Sequence, residues 1–242
     1  MKSRAAYVLG QLTDLRVYLP EAERGEAVAV HQVRVICRRL RVWLALLERS
    51  DRVEGLRAAL DALRSGLGPL RDEQVQQGEA NPVSHSRASR LAKVAVATWS
   101  RQHADAAEKL DHVLQRHLRS RASVERRLAA RLENVEACIG GLGGALPPVT
   151  AHLARIELRK LRYGLELLEE PVPQKTRAAL VSLQDALGAL HDCDVAAQGG
   201  PVGKRPALRK ARAALEHDAT REIRAWKGEG HPERLAKRLG AP

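Results

Sequence analysis

The sequence has few aromatic residues and few cysteines. Among 242 residues there are three Trp, three Tyr and no Phe, and Cys37, Cys138 and Cys193 form no C-x-x-C pair. So few rings argue against a protein that stacks successive bases of single-stranded RNA. Cysteines so far apart predict neither a disulfide framework nor a thiolate zinc site, and they fit a reducing cytoplasm.

Long apolar runs and nucleotide-binding motifs are also lacking. No run of about 18 apolar residues occurs and no apolar signal-peptide core follows the N-terminus, so we expect neither membrane insertion nor export. Neither G-x-x-x-x-G-K-[ST] nor G-x-G-x-x-G is present. No nucleophile adjoins a base and no carboxylate set could hold Mg²⁺ against a phosphate, so we expect no catalysis and no cofactor. The segment His191-Asp192-Cys193-Asp194 has no matching second cluster, so we expect no metal site.

Positive charge is abundant. Lys and Arg number 41 against 29 Asp and Glu, which gives a net charge of +12, and 44% of the residues are hydrophobic. The apolar fraction is sufficient for a core. The charge favours a polyanionic partner such as nucleic acid, polyphosphate or an acidic surface.

The positive charge is concentrated in one short stretch, residues 31–41, which contains a histidine and four arginines but no carboxylate. At about 100° per residue in a helix, His31, Arg34, Arg38 and Arg41 fall within an arc of roughly 80°. Val33, Ile36, Cys37, Leu40, Leu44 and Leu47 cover the opposite side. The stretch therefore predicts a helix with one face in a core and the other towards an anion.

The same pattern returns 121 residues later, in residues 152–162. Two further segments recur at nearly the same spacing: Leu67-Gly68-Pro69-Leu70-Arg71-Asp72 matches Leu187-Gly188-Ala189-Leu190-His191-Asp192 at 120, and Arg90 with Lys93 matches Arg209 with Arg212 at 119. Three segments at almost constant spacing predict two copies of a four-helix unit, approximately 1–120 and 121–242.

Apolar periodicity predicts helices throughout and no strand. In the first copy we expect helices at 4–19 (ended by Pro20 and Gly25), at 27–49, at 51–78 (with Leu56, Leu60, Leu63, Leu67 and Leu70 inside) and from near Ser84 to about Leu118 (with Leu91, Val94 and Val96 inside). In the second copy we expect helices at 122–138, after the Gly/Pro-rich loop 140–148, around Leu180–Leu190, at 206–227 and at 234–239.

Arginine suits phosphate because its planar fork presents five N–H donors and keeps its charge. Eleven residues of helix span roughly 15 Å, so one face can follow several linked phosphates. We expect Asp72 and Asp192 to orient arginines rather than to contact the anion. Glu157 lies about 140° from His152, and we expect it to leave the basic face undisturbed.

The motif H-x-x-R-[VI]-x-x-R-[RK]-L-R, followed about 35 residues later by L-G-x-x-x-D and present twice, resembles the CHAD family of α-helical phosphate-binding domains. The resemblance covers nearly all of residues 1–242 as a single domain. It implies two four-helix bundles related by a pseudo-two-fold axis, with a basic central groove that binds inorganic polyphosphate without catalysis. The implied phosphate-binding residues are His31, Arg34, Arg38, Arg39, Arg41, His152, Arg155, Arg159, Lys160 and Arg162. As outer contacts we add Arg90, Lys93, Arg209 and Arg212.

A basic nucleic-acid-binding protein that uses the same groove is the alternative function. We expect a cytoplasmic protein, and its association with polyphosphate granules stays open. The sequence also leaves open the oligomeric state, the purpose of binding, and whether His31 and His152 contact phosphate directly.

Overall fold

The computed structural model describes residues 4–47, 50–77, 86–117, 121–140, 146–168, 170–199 and 205–240. Every regular element in these ranges is an α-helix, which confirms the all-α prediction. None of the described helices is long and apolar enough to cross a membrane. The helix limits predicted at Arg49, Gly78, Ser84 and Leu118, and residues 141–145 of the Gly/Pro-rich loop, lie outside the described residues.

The chain divides after Arg121 into two compact units, which we call the N unit (Met1–Arg121) and the C unit (Ala122–Pro242). The described helices of the N unit are α1 (Arg4–Arg24), α2 (Ala27–Leu44), α3 (Asp51–Gly66), α4 (Gly68–Gln77), α5 (Arg87–Gln102) and α6 (Ala106–His117). Those of the C unit are α7 (Arg121–Gly140), α8 (Pro148–Leu165), α9 (Gln174–Gly199), α10 (Arg205–Gly228) and α11 (His231–Arg238). The described part of the N unit therefore contains six helices where four were predicted, and that of the C unit contains the five predicted for it.

In the N unit α2 packs against α1 and α3, and α5 packs against α1 and α3. The predicted end of α1 at Pro20 is wrong, because the helix continues to Arg24 with Pro20 inside it. Leu19 and Ala22 on either side are buried, so packing offsets the backbone hydrogen bond that proline cannot make. Gly25, with φ of 88°, ends the helix, and the N–H of Glu26 donates to the carbonyl of Glu21 at 3.1 Å.

Helix α2 ends at Leu44, before the predicted limit, because two tighter hydrogen bonds turn the chain there. The N–H of Leu46 donates to the Trp43 carbonyl at 2.9 Å and that of Leu47 to the Leu44 carbonyl at 3.1 Å. Both leucines are buried by this turn. The turn therefore keeps them in the core without extending the helix.

The helix predicted at 51–78 is divided into α3 and α4 at Leu67. Pro69 lies two residues further on and has no N–H to continue the α3 hydrogen-bond ladder. The C unit has Ala189 at the corresponding position, 120 residues later, and there α9 runs unbroken. One proline therefore accounts for one helix in the C unit and two in the N unit.

Helix α5 ends at Gln102 rather than continuing towards Leu118. His103 leaves the helical conformation, and its ring packs on that of Trp99 with centroids 4.9 Å apart. Leu91 and Val94, predicted to lie in the core, are 44% and 65% exposed, whereas Ala92, Val96 and Trp99 are buried. Of the three predicted positions Val96 is therefore confirmed, whereas Leu91 and Val94 are wrong.

In the C unit α9 packs against α8 and α10, and α10 packs against α11. Hydrogen bonds join α7 to this group: Trp226 Nε1 donates to Glu136 Oε1 at 2.9 Å, and Arg238 Nη1 donates to Glu125 Oε1 at 3.0 Å. The apolar stripe predicted for α7 is buried, namely Leu128, Leu132, Val135 and Ile139. So is that of α9, namely Leu180, Leu183, Leu187 and Leu190.

The buried positions of the two units recur at characteristic spacings. In α2 and α8 they lie 121 residues apart, and in α3–α4 and α9 they lie 120 apart. In α5 and α10 the spacing is 127, shown by Ala92 with Ala219, Val96 with Ile223 and Trp99 with Trp226. The spacing of 119 used to pair Arg90 with Arg209 is therefore not the register of the buried residues in these helices.

Candidate anion-binding site

Helix α2 places the first basic stretch at the edge of the N-unit core. Val33, Ile36, Cys37 and Leu40 are buried, and this anchors one face of the helix. On the other side His31 is exposed, whereas the four motif arginines Arg34, Arg38, Arg39 and Arg41 are half-buried. The amphipathic division predicted from the sequence is the one observed within α2.

Arg34 is held across the junction of α3 and α4. Its Nη1 donates to the backbone carbonyl of Arg64 at 2.9 Å, and a Cβ added to Gly68 would lie 3.2 Å from the same nitrogen. Burial lowers the pKa of Arg34, the neighbouring Arg38 lowers it further, and Asp72 raises it. The glycine of the L-G-x-x-x-D motif thus leaves room for the motif arginine.

Asp72 acts on Arg34 through charge alone. The carboxylate is exposed, and within the described ranges it forms no hydrogen bond or ion pair. An orienting contact was predicted for this residue, but the structure shows only its electrostatic influence on the pKa of Arg34.

A second set of charged side chains faces α2 from α3, and it was not predicted from the sequence. Arg41 Nη2 lies 2.6 Å from Asp61 Oδ2, and Arg64 Nη2 lies 3.6 Å from Asp61 Oδ1. Burial lowers the pKa of Arg41, Arg64 and Arg57 lower it further, and Asp61 raises it. Residues 57, 61 and 64 share one helical face at steps of four and three, and that spacing is the signal that could have revealed them.

In the C unit two histidines lie together, at the positions that correspond to His31 and Arg71. His152 Nδ1 lies 3.3 Å from His191 Nδ1, and the ring centroids are 4.5 Å apart. Two Nδ1 atoms at this distance can share only one proton, so one ring donates and the other accepts. Burial lowers the pKa of His191, and Arg155 and His152 lower it further.

The motif residues of α8 differ from those of α2 in their partners. Lys160 Nζ donates to Glu157 Oε1 at 2.6 Å, so the prediction that Glu157 leaves the basic face undisturbed is wrong for Lys160. The two residues are three apart and therefore adjacent on the helix. Arg162 lies over the ring of Tyr163, 5.0 Å from its centroid. A Cβ added to Gly188 would lie 3.9 Å from Arg155 Nε, which is ordinary van der Waals contact.

Arg212 was predicted as an outer phosphate contact, and the structure gives it an internal role instead. Its Nε donates to Asp194, its Nη1 to Glu216 and its Nη2 to the carbonyl of Leu146, each at 2.7 Å. These partners compensate its charge and occupy all three nitrogens. Arg209, Arg90 and Lys93 are exposed on α10 and α5.

The remaining reactive groups are dispersed. Across the part of the chain that the structure describes, no group of three or more His, Cys, Asp and Glu side chains is arranged to hold a metal ion. All three cysteines are free, and burial raises the pKa of Cys37 to about 12.

One protein-family model, described as CHAD domain, matches residues 6–199. The matched range contains α2 and α8 with all the motif arginines, and it ends with α9. No match was found among curated proteins or solved structures.

Proposed function

The chain belongs to the CHAD family, and on that premise we propose that it binds inorganic polyphosphate through the basic faces of α2 and α8. The observation that carries the proposal is the half-buried row of Arg34, Arg38 and Arg41 on α2. Guanidinium groups held by a core present fixed donors to phosphate oxygens, so less conformational entropy is lost on binding.

A chain of phosphates fits this row better than a single phosphate does. The motif face of α2 spans roughly 15 Å from His31 to Arg41, which is long enough for several linked phosphates. Burial is the main cause that lowers the pKa of Arg34 and Arg41, and neighbouring arginines lower it further. A polyanion would relieve this second effect, which is repulsion between like charges.

We propose further that the two units arose as copies of one unit and that each binds polyphosphate through its own basic helix. The equal spacing of buried positions in α2 and α8, and in α3–α4 and α9, supports the internal repeat. The C unit should bind more weakly, because Glu157 already neutralises Lys160. Two four-helix bundles remain the architecture that the family resemblance implies.

We also propose that the chain binds without catalysis. The motif side chains are guanidinium and imidazole groups, which stabilise phosphate oxygens by hydrogen bonding. The nearest carboxylate to Arg41 is Asp61, which is already engaged in a salt bridge. Incubation with polyphosphate followed by assay of released phosphate checks this proposal, and sustained release would contradict it.

The experiment for binding is calorimetric titration with long-chain polyphosphate, triphosphate and a single-stranded RNA of matched charge, all at one salt concentration, because affinities for polyanions vary strongly with salt. We expect long polyphosphate to bind most tightly, since a longer chain of phosphates can contact more of the arginines along a basic face. Equal affinity for RNA would favour the nucleic-acid alternative.

Replacing Arg38 and Arg159 together by glutamine should weaken polyphosphate binding by roughly ten-fold or more, because each loses charge-assisted hydrogen bonds. The matched control replaces Arg16 and Arg224, one exposed arginine outside the motif in each unit, by glutamine. Equal losses in the two double variants would mean that net charge alone binds the ligand.

A further inference from the structure

The contact between α2 and α3 contains a charged group that the two repeated motifs do not include. Asp61 of α3 extends one carboxylate oxygen to Arg41 at 2.6 Å and the other towards Arg64 at 3.6 Å. The side chains of Arg41 and Arg64 are each 33% exposed, and that of Asp61 is 38% exposed. Solvent and ligand can therefore reach this group.

Positive charge exceeds negative charge around this contact. Arg57, the other α3 arginine facing Arg41, is bound through one guanidinium nitrogen to both carboxylate oxygens of Glu54, at 2.8 and 3.0 Å. Asp61 is thus the carboxylate that pairs with both Arg41 and Arg64. Arg34 contacts the same turn of α3 by donating a hydrogen bond to the Arg64 carbonyl. An anion that reaches Arg41 and Arg64 can therefore bind two guanidinium groups whose charge is balanced by one carboxylate, that of Asp61.

The geometry of Asp61 resembles that of a bound phosphate. Two oxygens of one anion engage the Nη atoms of two guanidinium groups from different helices, which is how a phosphate with several oxygens would bridge them. We infer that Arg41 and Arg64 form a phosphate-binding site of the N unit, in which an incoming phosphate group displaces Asp61 from both guanidinium groups. This inference rests on the proposed binding of polyphosphate and adds α3 to its binding surface.

The C unit does not reproduce this group. At the spacing of 120 that relates the buried leucines of α3 and α9, Asp61 corresponds to Val181 and Arg64 to Gln184. Arg162, which corresponds to Arg41, has the Tyr163 ring as a partner and no carboxylate among the described residues. The site therefore belongs to the N unit and makes the two units chemically unequal.

Three single variants test the inference by polyphosphate titration at several salt concentrations. Arg64→Gln introduces the amide that the C unit carries at the corresponding position, so the helix should tolerate it. The matched control is Arg177→Gln, which removes one exposed arginine from α9. Asp61→Asn keeps the size of the side chain and removes its charge.

Arg64→Gln should weaken binding by roughly ten-fold and reduce the slope of log affinity against log salt by about one unit, as for one lost phosphate contact. Arg177→Gln should weaken binding by less than about two-fold. Asp61→Asn should strengthen binding by roughly three- to ten-fold, because a carboxylate within a few ångströms of the bound phosphate repels it.

Equal effects of Arg64→Gln and Arg177→Gln, or weaker binding by Asp61→Asn, would overturn the site. Thermal unfolding of each variant shows whether it is folded. For Asp61→Asn we predict a gain in affinity, which misfolding would not produce. Absence of polyphosphate binding by the unaltered protein would instead reject the proposed function itself. The two failures are therefore distinguishable.

Discussion

Arg212 offers a sharp test of the difference between a structural and a ligand-binding arginine. Replacing it by glutamine removes donors from Asp194 on α9, Glu216 on α10 and the carbonyl of Leu146, just before α8. The Asp194 side chain is only 8% exposed, and its buried Oδ2 accepts no hydrogen bond from the described residues. The variant therefore leaves a nearly buried carboxylate without its cationic partner.

The size of the effect follows from these burials. Removing one partner of a fully buried ion pair costs about 3–5 kcal/mol. The Arg212 side chain is 24% exposed, so we reduce this to about 2–3 kcal/mol, and the buried Leu146 carbonyl adds about 1 kcal/mol. A loss of about 3 kcal/mol should lower the thermal midpoint by roughly 6–12 °C in a chain of this length.

The assay is thermal and urea unfolding together with polyphosphate titration, with Arg209→Gln as control. Arg209 is exposed on the same helix and carries the same charge, so its replacement should change stability by no more than about 0.5 kcal/mol. The two variants should bind polyphosphate equally well, since the Arg212 guanidinium is already held by two carboxylates and a backbone carbonyl. Unchanged stability together with a selective loss of affinity in Arg212→Gln would refute this reasoning and restore the outer contact predicted from the sequence.

Three further outcomes follow from the structure. Because burial lowers the pKa of His191, its neutral form contributes stability that is complete above the usual histidine pKa of about 6.5 and is lost as the pH falls below it; thermal midpoints from pH 8 to pH 5 should fall more steeply in the unaltered protein than in His191→Gln. Gly68→Ala should weaken polyphosphate binding by roughly two-fold or more because the added methyl group displaces Arg34, whereas Gly188→Ala should leave binding unchanged, and titration of both checks this. Cys37 should resist thiol reagents in the native protein at pH 8, since it is fully buried with a pKa of about 12. Mass spectrometry after alkylation measures this, and a modified Cys37 would contradict it.

Much of the helical framework could be predicted because burial follows a period of 3.6 residues. The leucines expected inside α3, α4 and α9 are the ones that the structure buries. Helix limits were harder to predict, because the last turn of α1 is held by the packing of Leu19 and Ala22 despite Pro20. The stripe of α5 was assigned to Leu91 and Val94 because large apolar side chains dominate a periodic pattern, whereas the core there takes Ala92 instead.

Within the candidate site, too, some contacts could be predicted from the sequence and others could not. The basic face of α2 is a local property of eleven residues, so the sequence alone predicts it. The partners of Arg212 include a backbone carbonyl 66 residues away, and no local pattern shows such a contact. Asp61 and Arg64 lie between these extremes, since their common face on α3 is visible in the sequence, but their approach to Arg41 depends on how α2 and α3 pack.

The two units keep the same apolar register while their charged positions differ, and burial explains why. A shift of one residue in α2 or α8 would move the whole apolar stripe away from the core, whereas exchanging exposed side chains costs little stability. Arg39 therefore corresponds to Lys160, Arg64 to Gln184 and Arg71 to His191 without disturbing the buried positions. Arginine keeps its charge at every physiological pH, whereas histidine does not. The basic face of the C unit should therefore depend more on pH than that of the N unit, because His191 stands where the N unit has Arg71.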